Sequence, residues 1–114
     1  MSYWVYLGKT TPVKVSQHVE GGTYALGGTD RAELNITYNY SKHFYSWLDT
    51  KDGLRWLDNK TAKQTIKQLE IAVHNLGTKR TLNYWDNTPG NAGYALSILL
   101  FWARKHPRAK WVVH

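Results

Sequence analysis

The side chains best suited to recognising a ligand are the amides and the hydroxyl of residues 33–41, a stretch that alternates strictly between polar and apolar. In an extended strand Asn35, Thr37 and Asn39 point to one face, and the apolar and aromatic residues point to the other. Asn is depleted in strands because its amide competes with the backbone for hydrogen bonds, so this row requires an explanation. It is either a buried, satisfied polar network or a pocket floor that reads a ligand's polar edges.

A second candidate is the stretch N-T-P-G-N-A-G at residues 87–93. Thr88 as N-cap and Pro89 in the first helical position predict the start of a helix. Its free backbone N–H groups and positive dipole end, together with Asn91, are suited to a phosphate. The two glycines either let a ligand approach the backbone closely or permit the helix to pack tightly against the sheet.

Aromatic and basic side chains flank this predicted helix, with Arg80, Tyr84 and Trp85 before it and Arg104, Lys105 and Arg108 towards and beyond its end. Aromatic stacking beside cationic groups is how proteins hold bases and phosphates. Trp85 is equally suited to the core. The helix is about 25 Å long by its rise per residue. A single pocket using both groups therefore requires a return of the chain or a homo-oligomer.

The net charge of +7 is distributed unevenly along the chain. Residues 1–57 contain six Lys/Arg and five Asp/Glu, whereas residues 58–114 contain nine Lys/Arg and three Asp/Glu. Such a surplus favours anionic partners, whether nucleotides, nucleic acids or an acidic protein surface. Lys60, Lys63 and Lys67 share one face of a predicted helix, a pattern typical of a solvated helix face.

Several kinds of chemistry have no support in the sequence. The absence of cysteine excludes disulfides, thiolate catalysis and cysteine-based zinc sites. No compact carboxylate pair, Walker loop, G-x-S-x-G or H-E-x-x-H motif occurs, and the five histidines lie far apart. We therefore expect no enzyme activity, no metal and no cofactor. Without an apolar leader or a membrane-length apolar run, we expect a cytoplasmic protein with no membrane partner.

The elements that must position these residues begin with strands. Residues 3–7, 13–20, 23–26 and 33–41 are predicted to form an antiparallel meander with a tight hairpin connection at residues 20–22. Residues 109–114 are predicted to return to the sheet as a closing strand. The expected fold is α+β, with an antiparallel sheet of about four or five strands packed against two main helices and short helical turns. We expect one domain over residues 1–114.

Helix signals fill the second half of the chain. Ser41 as N-cap predicts a short helix, and residues 54–57 predict a helical turn. The capping box of Thr61 and Gln64 opens a longer helix that ends at Gly77. The last helix is apolar over a broad arc, so we expect it to be the central core helix, ended by Pro107.

The motifs N-I-T-Y-N from Asn35, G-L from Gly53 with Leu57, K-T-A from Lys60, G-N-A-G from Gly90, and H-P from His106 with Ala109 resemble small phage and prophage proteins of unassigned function. The resemblance implies a phage accessory protein. It further implies action on host defence, either by sequestering a nucleotide signal or by covering a host protein.

We therefore expect a non-enzymatic phage accessory protein that binds and sequesters an anionic, nucleotide-like signalling molecule in the host cytoplasm. One alternative is an inhibitor that binds a host defence protein through its basic surface. Another is a nucleic-acid-binding protein.

Overall fold

The computed structural model describes residues 1–8, 11–14 and 31–114. They form the strands β1 (Ser2–Leu7), β2 (Glu33–Thr37) and β3 (Trp111–Val113), the helices α1 (Ser41–Trp47), α2 (Ala62–Leu76) and α3 (Pro89–Lys105), and short 3-10 helices at Tyr38–Tyr40 and Gly53–Leu57. The α+β class predicted from the sequence is therefore confirmed.

The sheet is antiparallel and has the order β2-β1-β3, so the beginning and the end of the chain are neighbours in it. Val5 at its centre lies opposite Leu34 on one side and Val113 on the other. All three side chains face the core, and alternate residues face outwards. The described residues hold three strands, where four or five were predicted. The strands predicted at 13–20 and 23–26 and the hairpin at 20–22 lie largely outside them.

The prediction of one strand over residues 33–41 is wrong, because β2 ends at Thr37. The Thr37 Oγ1 accepts a hydrogen bond from the Asn39 N–H at 3.2 Å and caps the 3-10 helix that follows. Tyr40 then turns into the core, and Ser41 is the first residue of α1 rather than its N-cap. Asn39 therefore does not share the sheet face of Asn35.

The two long helices begin and end where the sequence predicted. The capping box of Thr61 and Gln64 opens α2, and Gly77 ends it with a φ of 75°. The Oγ1 of Thr88 caps α3 by accepting from the Asn91 N–H, and α3 ends before Pro107. Ten residues of α3 are buried, which confirms it as the central core helix. Among the described residues, no helix has both the length and the apolar character needed to cross a membrane.

The chain after α3 returns to the start of α2, and backbone hydrogen bonds hold the two segments together. Ala62 N–H donates to the Ala109 carbonyl at 2.8 Å and Lys63 N–H to the Pro107 carbonyl at 2.9 Å. Trp111 N–H donates to the Lys60 carbonyl at 2.9 Å, and its buried indole N–H donates to Thr65 Oγ1 at 2.9 Å. Two basic segments distant in sequence are therefore adjacent.

Candidate anion-binding surface

Two of the predicted groups, the polar row at residues 35–39 and the aromatic pair at residues 84–85, contact each other. Thr37 is buried, and its backbone N–H donates to the Tyr84 hydroxyl at 2.8 Å. The Asn39 side-chain amide donates to the Trp85 carbonyl at 3.0 Å. The Tyr40 hydroxyl donates to the Tyr84 carbonyl. Residues 84–85 therefore lie against the end of β2, where the sequence suggested a ligand.

Asn35 and the Trp85 side chain, also predicted to bind the ligand, are both accessible to solvent, Trp85 more so than Asn35. Asn35 is half-buried on the outer face of the sheet, opposite Trp4 in the register. The Trp85 side chain is 50% exposed and packs edge-on against the ring of Tyr84, with 4.7 Å between centroids. Tyr84 in turn packs against Tyr40 at 5.9 Å. Tyr84 therefore supports the core, and the exposed part of Trp85 remains accessible.

The packing around Tyr40 changes the pKa of its phenol. Burial raises the pKa of Tyr40, and the neighbouring Tyr84 and Asp86 raise this pKa further. The protonated phenol is the form that donates to the Tyr84 carbonyl. The raised pKa keeps the phenol protonated above about pH 10, where an ordinary tyrosine ionises, and so extends the contact between the 3-10 helix and the segment that follows α2 to more alkaline pH.

Asn91 uses its amide to organise residues 81–86. Its Oδ1 accepts from the Thr81 N–H at 2.9 Å. Its Nδ2 donates to the carbonyls of Asp86 and Asn83 at 2.9 and 3.2 Å, and to Thr81 Oγ1 at 3.1 Å. The backbone N–H of Asn91 donates to Thr88 Oγ1 at 3.1 Å. Because the residue is 1% exposed and bonded on both sides of its amide, it acts here as a structural residue.

The glycines of this helix start permit close approach of the chain itself. A Cβ on Gly90 would lie 1.9 Å from the Lys79 carbonyl oxygen, and one on Gly93 would lie 1.8 Å from that of Gly77. Real Cβ atoms do not approach an oxygen so closely, so only glycine allows this packing. Both glycines thus serve close packing, but against the end of α2 and the chain that follows it, and not against the sheet as predicted.

The predicted cations are divided between the two ends of α3. The guanidinium of Arg80 lies 4.3 Å from the ring centroid of Tyr94, near the helix start. At the far end, Arg104 forms a 2.7 Å ion pair with Glu70. Lys105 lies 5.6 Å from the ring centroid of Phe101, and Arg108 is exposed. Along one chain, α3 separates Arg80, Tyr84 and Trp85 from the later cations.

A group of cations, of which the sequence predicted Arg104 and Arg108 as site residues but not the lysines, lies along the first half of α2 and at the end of α3 and the chain that follows it. We call it the basic surface, and it comprises Lys60, Lys63, Lys67, Arg104, Arg108 and Lys110. The hydrogen bonds between residues 60–63 and 107–111 bring its two segments together. The lysine spacing on α2 was visible in the sequence. The proximity of these lysines to residues 107–111 depends on a long-range contact, which helical periodicity does not reveal.

Few negative charges offset the basic surface. The acidic residues between positions 58 and 74 are Asp58 and Glu70, and residues 104–111 contain none. Asp58 accepts from the Val113 N–H at 2.9 Å, while Glu70 is paired with Arg104. The first turn of α2 carries Lys63 and no acidic residue, so the positive end of the helix dipole adds to the field.

Two concave regions adjoin these cations. A groove of about 390 Å³ is lined by Gly8, Thr11, Val13, Arg108, Ala109 and Lys110. A pocket of about 320 Å³, which we call the indole pocket, is lined by Ser46, Trp47, Leu48, Asp49, Thr50, Trp56 and Gln68. The Lys60 ammonium lies 4.7 Å from the Trp56 ring centroid and donates to the Trp56 carbonyl at 2.6 Å. Lys60 therefore connects the indole pocket to the basic surface.

No group of three or more His, Asp or Glu residues is arranged to hold a metal ion within the part of the chain that the structure describes. Comparisons with protein-family models, curated proteins and solved structures found no match to the chain.

Proposed function

We propose that this chain is a non-enzymatic phage accessory protein that binds and sequesters an anionic, nucleotide-like ligand in the host cytoplasm. The phage origin, and with it the host cell as the location, rests on the resemblance of its short motifs. The binding function rests on one structural observation: hydrogen bonds between residues 60–63 and 107–111 gather cations from two segments at one end of the molecule.

The chemistry of the basic surface supports phosphate binding by side chains. Ala62 and Lys63 already donate their backbone N–H groups to carbonyls of the returning chain, so the helix start itself is occupied. Lysine supplies a mobile ammonium, and Arg108 supplies a planar fork that matches two phosphate oxygens. Since like charges lie close together on this surface, a bound anion would relieve their mutual repulsion.

Titration calorimetry against cyclic dinucleotides, ADP-ribose and mononucleotides tests the proposal. We expect binding by the native protein, and affinity at least about tenfold weaker for Lys63→Glu combined with Arg108→Glu, since a charged hydrogen bond contributes about 1.5–3 kcal/mol. The control, Lys42→Glu combined with Lys79→Glu, makes the same change in net charge at exposed positions outside the basic surface.

Two results would overturn the proposal. One is an absence of measurable heat with all these ligands at micromolar protein. The other is an equal loss of affinity in both double variants, because that would reflect net charge and not a site.

A second candidate, inhibition of a host protein, is favoured by exposed apolar side chains beside the basic surface. Phe101 on α3 is 44% exposed and Ile71 on α2 is 41% exposed. An acidic partner with an apolar centre would fit such a surface, because interfaces combine apolar contact with charge complementarity. Capture of a polypeptide and no nucleotide from host lysate would favour this candidate.

Affinity for oligonucleotides that falls steeply with log salt would favour the third alternative, nucleic-acid binding.

A further inference from the structure

The indole pocket lies beside the basic surface and carries groups of a different kind. Trp47, which is 41% exposed, and Trp56, which is half-buried, both line it. Its volume of about 320 Å³ lies within the range of small-molecule sites. Polar groups of Ser46, Thr50 and Asp49 also line it.

The pocket has a fixed framework. The side-chain amide of Gln68 on α2 donates to the Trp47 carbonyl at 2.9 Å and ties the end of α1 to α2. Asp49 accepts from the N–H groups of Asp52 and Lys51 at 2.7 and 3.2 Å, which holds the connection to the following 3-10 helix. The walls are thus formed before any ligand arrives, so less conformational entropy is lost on binding.

We infer that the indole pocket binds the base of the nucleotide-like ligand, with Trp47 as the stacking residue and Lys60 as the link to its phosphate. This inference rests on the proposed function. Lys60 lies over the ring of Trp56, which leaves the more exposed Trp47 as the stacking platform. An aromatic surface beside lysines is suited to a ligand with a flat heterocycle and a phosphate.

The ligand class follows from this combination. A sugar phosphate has the charge but no planar ring, and a free base has the ring but no charge. A nucleotide has both, either free or as one unit of a single strand. These two sources share the chemistry of the pocket and differ in length, so ligands of different length distinguish them.

The experiment measures affinity for AMP, a cyclic dinucleotide, a six-nucleotide single strand and ribose 5-phosphate at one salt concentration. We expect the three base-bearing ligands to bind at least about fivefold more tightly than ribose 5-phosphate, because stacking of one base contributes about 5- to 160-fold in affinity. Trp47→Ala should abolish this advantage, and Trp47→Phe should retain most of it. Tighter binding of the six-nucleotide strand than of the dinucleotide would assign the pocket to a single strand, and the reverse order to a free signal.

The matched control is Trp4→Ala, which removes a tryptophan of similar exposure, 40%, from the outer face of the sheet. We expect it to leave the ranking of ligands unchanged. If every ligand including ribose 5-phosphate fails to bind, the proposed function is wrong and the inference falls with it. If ribose 5-phosphate binds as tightly as AMP, or if Trp47→Ala and Trp4→Ala weaken AMP equally, the inference alone is wrong.

Discussion

Replacing Asn91 by alanine tests whether the start of α3 is structural or a binding site. The Oδ1 of the buried amide accepts one hydrogen bond, and the two N–H groups of Nδ2 are shared among three acceptors in residues 81–86. Alanine would leave the Thr81 N–H and two carbonyls without this partner, and each hydrogen bond contributes a net 0.5–1.5 kcal/mol or so. We therefore expect Asn91→Ala to lower the free energy of unfolding by about 2–5 kcal/mol.

The expected loss is large enough to measure by two methods. In a domain of this size about 1 kcal/mol corresponds to roughly 4–8 °C, so Tm should fall by about 10 °C or more. Urea unfolding should show a lower midpoint with an unchanged slope. Asn87→Ala, an exposed amide four residues earlier, is the control and should change Tm by no more than about 2 °C.

Binding measurements on the same variants separate structure from recognition. In buffer where Asn91→Ala remains folded, its affinity for the preferred nucleotide should stay within about twofold of native, because the basic surface lies at the other end of α3. If Asn91→Ala keeps its Tm within about 2 °C of native but loses nucleotide binding, the structural account of the helix start is refuted.

Two further predictions concern stability. Gly93→Ala should destabilise the protein by more than about 2 kcal/mol in urea unfolding, since its Cβ would lie 1.8 Å from the Gly77 carbonyl oxygen. The control Ser97→Ala introduces alanine into the same helix without adding a Cβ and should change the free energy of unfolding by no more than about 1 kcal/mol, so an equal loss in both variants would contradict the packing argument. Because the pKa of Tyr40 is raised in the folded state, its contribution to stability is complete below about pH 10 and is lost as pH rises above that, where the unfolded chain ionises first. Alkaline unfolding should therefore be shallower in Tyr40→Phe than in the exposed-site control Tyr45→Phe, and indistinguishable slopes would contradict the assignment.

Helix boundaries could be predicted from the sequence because the signals are local. Thr61 and Gln64 are three residues apart and bond to each other, and Thr88 bonds to Asn91 over the same spacing. The end of β2 could not be predicted in this way. The alternation of polar and apolar residues continues to Tyr40, as in a strand. The Thr37 hydroxyl, however, accepts from the Asn39 N–H and starts a 3-10 helix, through which Tyr40 still reaches the core.

The basic surface could not be predicted from the sequence, because it is formed by contacts between distant residues and residue spacing does not reveal such contacts. The sequence predicts ligand contacts for the amides of Asn39 and Asn91, yet their partners lie in residues 81–86. Likewise, Lys63 appeared to be part of a solvated helix face because the pairing of residues 60–63 with 107–111 connects segments more than forty positions apart. The charge imbalance identified the correct half of the chain without identifying which cations meet.

The residues that stabilise the fold and the residues proposed to bind the ligand lie at opposite ends of α3. Thr37, Asn39 and Asn91, which first suggested a site, hold residues 81–86 against the end of β2, the following 3-10 helix and the start of α3. The cations gathered at the other end of α3 include one ion pair among the described contacts, that of Arg104, which is exposed and so contributes little to stability. Substitutions at the first group should therefore alter unfolding and spare affinity. Substitutions of Lys63 or Arg108 should alter affinity and spare unfolding, since exposed cations on a surface of like charge contribute little to the folded state.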